Sequence, residues 1–486
     1  MSAMQRPFLT PEPEAPLYQR LAATLESMIQ GHSLRPGDRI PSVRHFSAQQ
    51  RVSIPTALRA YETLETRGLI EARPKSGFFV RSRQADFVRI PTFAARAPEV
   101  TDFANLDPFD SLFSPAATAG LVPLGVALAD PSLLPGEKLA REMGVIARRL
   151  GPKSTNYDFA PGSEALRGEL ARRSLDWGCA LQRDDFIIVN GGTEALSLAL
   201  RATCKPGDTV IVESPTYFGL AQMIRELGLN GLPIPVESVN GMDLDAVEKA
   251  VSHQRIAACV SIANFHNPVG FLMPEDRKQQ LLALLAKRSI PLIEDDVYGD
   301  LQHNGARPRC IKAFDPNGVV LLCGSFSKTL APGYRVGYIA AGRWHSQVLR
   351  LKQISTLSNA LLPSLAIAEY LRNGGYDRYL RSIRQTYRRQ IGRVREAIVD
   401  SFPPGIGLSR PLGSFLLWCE LPPQVDSMEL FQRARREGIS IAPGPLFSPD
   451  GGSFKNFIRI NCGFPMTAAT DRAVGLLGHL VKGLLK

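Results

Sequence analysis

From about Leu121 onward the chain repeats one pattern, a short apolar run followed by a longer amphipathic stretch. The apolar runs are Phe186–Val189, Thr209–Glu213, Ala257–Ile262, Pro291–Glu294, Val319–Leu322 and Val336–Ala341. Each is too short for a helix and too uniformly apolar for a strand with one wet face, so each reads as a strand buried on both sides. Helical spacing lies between some of them, as in Thr193–Ala202 and Arg277–Lys287. Strands alternating with helices predict an α/β domain built on a mostly parallel sheet. Open sheets of that kind bind ligands at the carboxyl ends of their strands, so the polar residues that follow each run are the first candidates for a site.

The chain has 486 residues, enough for two to four domains, and its 44% hydrophobic content supports a large core. Residues 15–83 show a different pattern. Leu17, Leu21, Leu25, Met28 and Ile29 share one helical face over Leu17–Gln30. Arg35–Asp38 breaks that helix. Ser42 then stands as an N-cap for a short helix bearing Val43 and Phe46, and Ser53 caps another, with Pro55 tolerated in its first turn. Ala57, Ala60, Tyr61 and Leu64 form the inner face of the latter, and Gly68 ends it. Leu69–Arg73 and Gly77–Val80 pair around Pro74-Lys75-Ser76, giving a winged helix-turn-helix of α+β type. Residues 84–120, rich in Pro, Ala, Phe and Asp without sustained period, read as a linker, and 121–486 as the α/β domain.

Charge follows this division. Residues 1–84 carry 12 Lys/Arg against 7 Asp/Glu, nearly half of the net +11 in a sixth of the chain, a footprint suited to duplex DNA. A generally basic protein, or a helical domain that binds protein, would leave a similar mark. The start of the chain has no apolar core of signal-peptide length, and the longest aliphatic runs, such as Leu281–Ala286, are far too short to span a bilayer. Seven cysteines are scattered without CxxC pairs, which suits reduced thiols in the cytoplasm and predicts neither disulfides nor a metal site.

Five segments carry chemistry. Gly324-Ser325-Phe326-Ser327-Lys328, running on to Arg335 and Gly337, follows a strand; its lysine can condense with an aldehyde, and its hydroxyls with Arg335 suit a phosphate dianion. Glu294-Asp295-Asp296-Val297-Tyr298 offers Asp295 as a carboxylate for a pyridinium nitrogen and Tyr298 as a donor to a phenolic oxygen. His266-Asn267-Pro268-Val269-Gly270 sets Asn267 in a tight turn. Asn190-Gly191-Gly192-Thr193 is a glycine turn whose helix-start amides make an anion site. Tyr217 is placed to stack on a ring. Taken singly, these are also a surface lysine, a strand-end turn, an Asn-Pro turn and a core tyrosine.

Taken in order, the five segments resemble fold type I aminotransferases across roughly residues 120–486. The resemblance implies pyridoxal 5′-phosphate (PLP) bound as a Schiff base on Lys328, and a smaller C-terminal α/β subdomain. Asp295 would pair with the ring nitrogen, Asn267 and Tyr298 would hold the phenolic oxygen, and Tyr217 would stack on the ring. Gly192, Thr193, Ser325, Ser327 and Arg335 would bind phosphate, Tyr157 would reach phosphate from the other subunit of a homodimer, and Arg459 would clamp a substrate or effector carboxylate. Gly192-Thr193-Glu194 departs from the family's usual Ser-Gln-Gln run. Leu34–Arg44, Val52-Ser53-x-x-Thr56 with Ala60-Tyr61, and Gly77–Val80 resemble GntR-type regulators. This implies DNA contacts from Arg44, Ser53, Thr56, Arg59 and the wing residue Lys75, although Ile54 stands where that family often has arginine. The combination resembles the MocR subfamily. It implies a PLP-dependent transcriptional regulator that senses an amino compound or B6 vitamer through aldimine chemistry at Lys328. A working aminotransferase with an accessory DNA-binding domain, or a scaffold without PLP, remain as alternatives.

Overall fold

Apolar spacing and capping residues together account for the N-terminal helices. In the computed structural model, which describes residues 16–30, 33–34, 38–73, 77–80, 88–93, 98–101 and 120–485, the chain divides into two compact units, Met1–Phe87 and Val88–Lys486. The first contains α1 (Leu17–Gln30), α2 (Val43–Gln50) and α3 (Ile54–Thr66), followed by the antiparallel hairpin β1 (Ile70–Arg73) and β2 (Gly77–Val80). Ser42 caps α2 by accepting from the His45 amide, and Ser53 caps α3 by accepting from the Thr56 amide. Arg51, at φ 53°, closes α2 and makes the turn between the two helices. Leu21, Leu25, Ile29, Phe46, Ala57, Ala60, Tyr61 and Leu64 are buried together. Two residues of the expected α1 face, Leu17 and Met28, are instead exposed. The buried stripe is centred on Ala22, Leu25 and Ile29, which leaves those two at its edges. The hairpin gains a third, unforeseen neighbour: Ile40 N–H donates to Phe78 O and Val80 N–H to Asp38 O.

The second unit is built on an eight-stranded sheet. Its strands are β3 (Phe186–Val189), β4 (Thr209–Ser214), β5 (Asn230–Glu237), β6 (Gly241–Met242), β7 (Ala258–Ser261), β8 (Leu292–Asp295), β9 (Val320–Ser325) and β10 (Gly337–Ala340). They lie in the order β3-β10-β9-β8-β7-β4-β5-β6. The pairs β9-β8, β8-β7, β7-β4 and β4-β5 are parallel, whereas β10 runs antiparallel to both its neighbours and β6 to β5. All six runs picked out by their apolar character are strands of this sheet. β10 reverses because no crossover helix precedes it: Phe326–Val336 connects it to β9, and that connection carries Lys328.

Helices α4 (Gly192–Thr203) and α5 (Phe218–Glu226) each begin just past the carboxyl end of a strand. A smaller antiparallel sheet follows near the end of the chain. It consists of β11 (Gly407–Leu408), β12 (Leu416–Glu420), β13 (Ala442–Pro443) and β14 (Phe457–Asn461), in the order β11-β12-β14-β13. Part of the segment expected to be a linker packs onto this unit. Arg89 pairs with Glu420 at 2.5 Å and donates to Gly405 O, and Thr101 bridges to Gly231. Residues 84–87, 94–97 and 102–119 of that segment lie outside the described residues. Among the described residues no helix is long and apolar enough to cross a membrane.

Candidate functional site

The carboxyl ends of β8, β9 and β4 and the start of α4 meet around one cavity of about 140 Å³. Gly192, Thr193, Tyr217, Asn267, Asp295, Tyr298, Ser325, Ser327, Lys328, Arg335 and Arg459 all line it. Sequence positions from 192 to 459 thus converge on a single space. Tyr157 does not; it is 68% exposed, outside the cavity, with its ring stacked on Phe159 at 5.2 Å.

One end of the cavity is built for an anion. Gly191 caps α4 at φ 85°, a left-handed conformation that favours glycine, and its missing Cβ leaves room for the Arg335 guanidinium to approach closely. The first amide of α4 to bond back is that of Ala195, to Gly191 O, which leaves the earlier helix-start donors for a ligand. Arg335 donates to Ser327 Oγ at 3.1 Å and to Asn190 O at 2.9 Å, and Ser325 Oγ donates to Ser327 Oγ at 2.9 Å. Glu194, third in the departing Gly-Thr-Glu run, turns away from this end. It accepts from the Asn190 amide, from Lys352 Nζ at 2.9 Å and from Thr356 Oγ1 at 2.7 Å.

The middle of the cavity holds the titratable groups. Lys328 Nζ donates to Ala127 O at 2.8 Å. Burial first, and then the nearby Arg459 charge, pulls its amine down to about 8, which makes the nucleophilic neutral form accessible near neutrality. Asp295 is pushed up to about 7, first by burial and then by Asp296 beside it. Its Oδ1, the Tyr298 hydroxyl and Arg459 Nε are buried polar atoms that meet no partner within the protein. Buried polar groups are normally satisfied, so three such atoms around one cavity mark it as made for a polar ligand. A protonated pyridine nitrogen suits Asp295, a phenolate oxygen suits Tyr298, and a phosphate suits the Arg335 end. The residues present therefore fit PLP.

Arg459, on β14, closes the far side. It is 1% exposed and donates to Asn267 Oδ1 at 2.9 Å and Gly125 O at 2.6 Å. Burial lowers its guanidinium to about 10. Three features here were not singled out from the sequence. Phe218 lies under Arg459, with its ring centroid 5.8 Å from the guanidinium carbon. The 125–127 segment supplies the carbonyls that Arg459 and Lys328 bond. A buried Glu213–His266 pair, 3.3 Å apart, underlies the turn that carries Asn267. Glu213 ends an apolar run and His266 directly precedes Asn267, so their positions in sequence were the available signal.

In the N-terminal unit Arg44 and Ser53 are exposed and Thr56 half-buried. Arg59 is exposed, but its guanidinium lies 4.6 Å over the Tyr18 ring of α1. Lys75 lies outside the described residues.

Known proteins share both units. The family model for aminotransferase class I and II matches residues 137–475, and that for bacterial regulatory proteins of the gntR family matches residues 17–80. The chain belongs to the aminotransferase class I and II family, in its MocR-type fusion to a GntR domain. Similarity to curated relatives runs across both units. This MocR-type chain is 38% identical to the uncharacterized HTH-type transcriptional regulator YjiR of Escherichia coli, over 96% of this chain and 98% of YjiR. It is 30% identical to the 2-aminoadipate transaminase of Thermus thermophilus, over 75% of this chain and 91% of that enzyme. Among solved structures, the multiple substrate aminotransferase of Thermococcus profundus superposes with a TM-score of 0.73 at 26% identity, covering 79% of this chain and 96% of the other. LysN of Thermus thermophilus, crystallised with N-(5′-phosphopyridoxyl)-L-leucine, gives 0.71 at 28% identity, covering 76% and 93%.

Proposed function

We propose that this chain is a PLP-dependent transcriptional regulator. It binds duplex DNA through its N-terminal unit, responds to an amino compound or B6 vitamer at the Lys328 cavity, and acts in the cytoplasm as a homodimer through its aminotransferase unit. The observation that supports the reading is a GntR-type helix-turn-helix and a cavity lined by eleven of the expected cofactor- and effector-directed residues on one chain, which is similar to YjiR along nearly its whole length. When bound, PLP supplies an aldehyde that condenses with amines and a ring that withdraws electrons. The chain's own residues then have distinct tasks. Lys328 provides the amine, Asp295 holds a ring-nitrogen proton, Arg335 with the start of α4 holds the phosphate, and Arg459 receives a carboxylate. Asn267 is oriented by Arg459, so its amide group is free to donate into the cavity.

A second reading is a working aminotransferase, favoured by the buried Arg459 and by the identity to 2-aminoadipate transaminase. One experiment separates them. Cofactor-loaded protein is titrated with a panel of amino acids while absorbance, keto-acid formation and affinity for its own promoter DNA are followed. A regulator changes DNA affinity with compounds that change the absorbance. Rapid turnover to keto acids with DNA affinity unmoved would favour the enzyme.

A further inference from the structure

We propose that the apolar pair Ile54 and Leu58 reads thymine in the major groove, through contact with its C5 methyl group. The inference rests on the regulator reading and specifies how α3 would recognise bases.

The start of α3 has few polar groups left for DNA. Ser53 Oγ accepts from the Thr56 amide at 3.3 Å and shares a hydrogen bond with Thr56 Oγ1 at 2.7 Å. Pro55 has no N–H, and the Ala57 amide donates to Ser53 O at 3.1 Å. Arg59 is held over Tyr18 on α1. Two of the side chains that α3 presents outward are large and aliphatic, Ile54 at 50% and Leu58 at 40% exposed, beside the exposed polar Arg59, Glu62 and Thr66. Ile54 and Leu58 are four residues apart, so they share a face, while Ala57, Ala60, Tyr61 and Leu64 fill the buried one.

Two large aliphatic side chains on the outward face of the second helix of a helix-turn-helix are unfavourable in water. The major groove offers them a specific counterpart. The thymine methyl is the apolar group on the base edges there, and aliphatic contact distinguishes T from C without a hydrogen bond. The net positive charge of residues 1–84 suits the same occupant, because cations supply affinity from the phosphates while the aliphatic pair supplies selectivity.

The test uses the full, cofactor-loaded chain and a duplex selected by it from a random pool. Each thymine is replaced in turn by deoxyuridine, which lacks only the methyl. One or two positions should weaken binding by roughly four-fold each, the equivalent of one buried methylene. Ile54→Ala and Leu58→Ala should bind the thymine duplex more weakly and lose sensitivity to the missing methyl; both side chains are exposed, so melting temperatures should hold. Equal binding of thymine and uracil duplexes at every position overturns the proposal. So does methyl sensitivity that survives in the double variant, and a change of oligomeric state in that variant alongside it assigns the pair to a protein contact instead. Failure of the full chain to select or bind any duplex at low salt is a distinct result, which removes the regulator reading itself.

Discussion

Arg459 donates through Nη1 to Asn267 Oδ1, joining a strand of the small C-terminal sheet to the turn that follows β7. The same guanidinium holds Gly125 O, so one buried cation organises two loops of the cavity while its Nε meets no partner. A carboxylate is the group that would complete it, since a planar guanidinium matches that group in bidentate fashion. Arg459→Ala should therefore weaken carboxylate-bearing effectors by about 1.5–3 kcal/mol, roughly 10- to 150-fold. Arg459→Lys should not restore them, because a point charge cannot serve two loops and a ligand together. Calorimetric titration with amino acids and with the matching decarboxylated amines checks this. Amines should bind wild type and variant alike, and an equal loss for both classes would count against the clamp.

The cavity charges make a pH prediction for the cofactor-free protein. The folded Asp295 carboxyl, at about 7, is well above the roughly 3.9 of an unfolded chain. Its ionisation therefore destabilises the fold increasingly from about pH 4 up to 7. Lys328, at about 8, is below its unfolded value of roughly 10.4, so its charge destabilises the fold below pH 8 and the cost disappears as pH rises toward 10. The two costs coincide between pH 7 and 8. Asp295→Asn should raise the melting temperature of cofactor-free protein at pH 8 by a few degrees and by less at pH 5. Thermal melts across pH 5–9 test this, and parallel curves for the two proteins would refute it.

Lys328 should be the covalent attachment point. Borohydride reduction of the cofactor-loaded protein, followed by tryptic mapping, is expected to place the pyridoxyl group on the peptide containing Lys328. Lys328→Ala should retain the fold and show no covalent adduct. A reduced adduct on another lysine would contradict the assignment.

Much of this was legible in the sequence because the decisive signals are local. Ser42 and Ser53 mark helix starts by their own chemistry, and the core strands are continuous apolar runs. Most of the cavity residues stood out because they follow such a run, and strand ends in an open sheet converge, whereas Arg335 precedes one and Arg459 lies within a strand of the smaller sheet. What was hidden depends on long-range packing. The exposure of Leu17 and Met28 follows from which stripe of α1 meets α3, and the reversal of β10 from a connection that lacks a crossover α-helix. The carbonyls of Gly125 and Ala127 have no side-chain signature at all, yet they hold Arg459 and Lys328. The stacking of Arg59 on Tyr18, which draws a candidate DNA contact toward α1, likewise joins positions 41 residues apart.

DNA binding should depend steeply on salt. Arg44 is exposed in the first turn of α2, two residues past the N-cap, where a cation can reach a phosphate. Arg44→Ala should weaken binding and flatten the plot of log K against log salt by about one unit. Fluorescence anisotropy at several salt concentrations measures both. An unchanged slope would show that Arg44 displaces no counterion.

The rings of Tyr157 and Phe159 stack on each other in the open, 68% and 58% exposed, and Ile354 at 73% and Leu357 at 46% are exposed nearby in sequence to the strand paired with Asp158–Phe159. Exposed large apolar side chains on and beside one short strand pair are of the kind that a partner surface covers. If a second copy covers it, Tyr157 of each chain can approach the phosphate end of the other's cavity, near Arg335. Ile354→Asp should then shift the protein toward monomer in sedimentation and weaken PLP binding in parallel, although Ile354 lines no part of the cavity. Complementation gives the sharper check. A Tyr157→Phe chain and a Lys328→Ala chain each make a defective homodimer, one short of the phosphate contact and the other short of the amine. In the mixed dimer the cavity that retains Lys328 faces the partner chain that retains Tyr157, so that cavity is intact. Mixing the two after partial unfolding and refolding should recover high-affinity PLP binding in about half the sites of the heterodimers. If the mixture binds no better than the average of its parents, each cavity is complete within its own chain and Tyr157 serves packing alone.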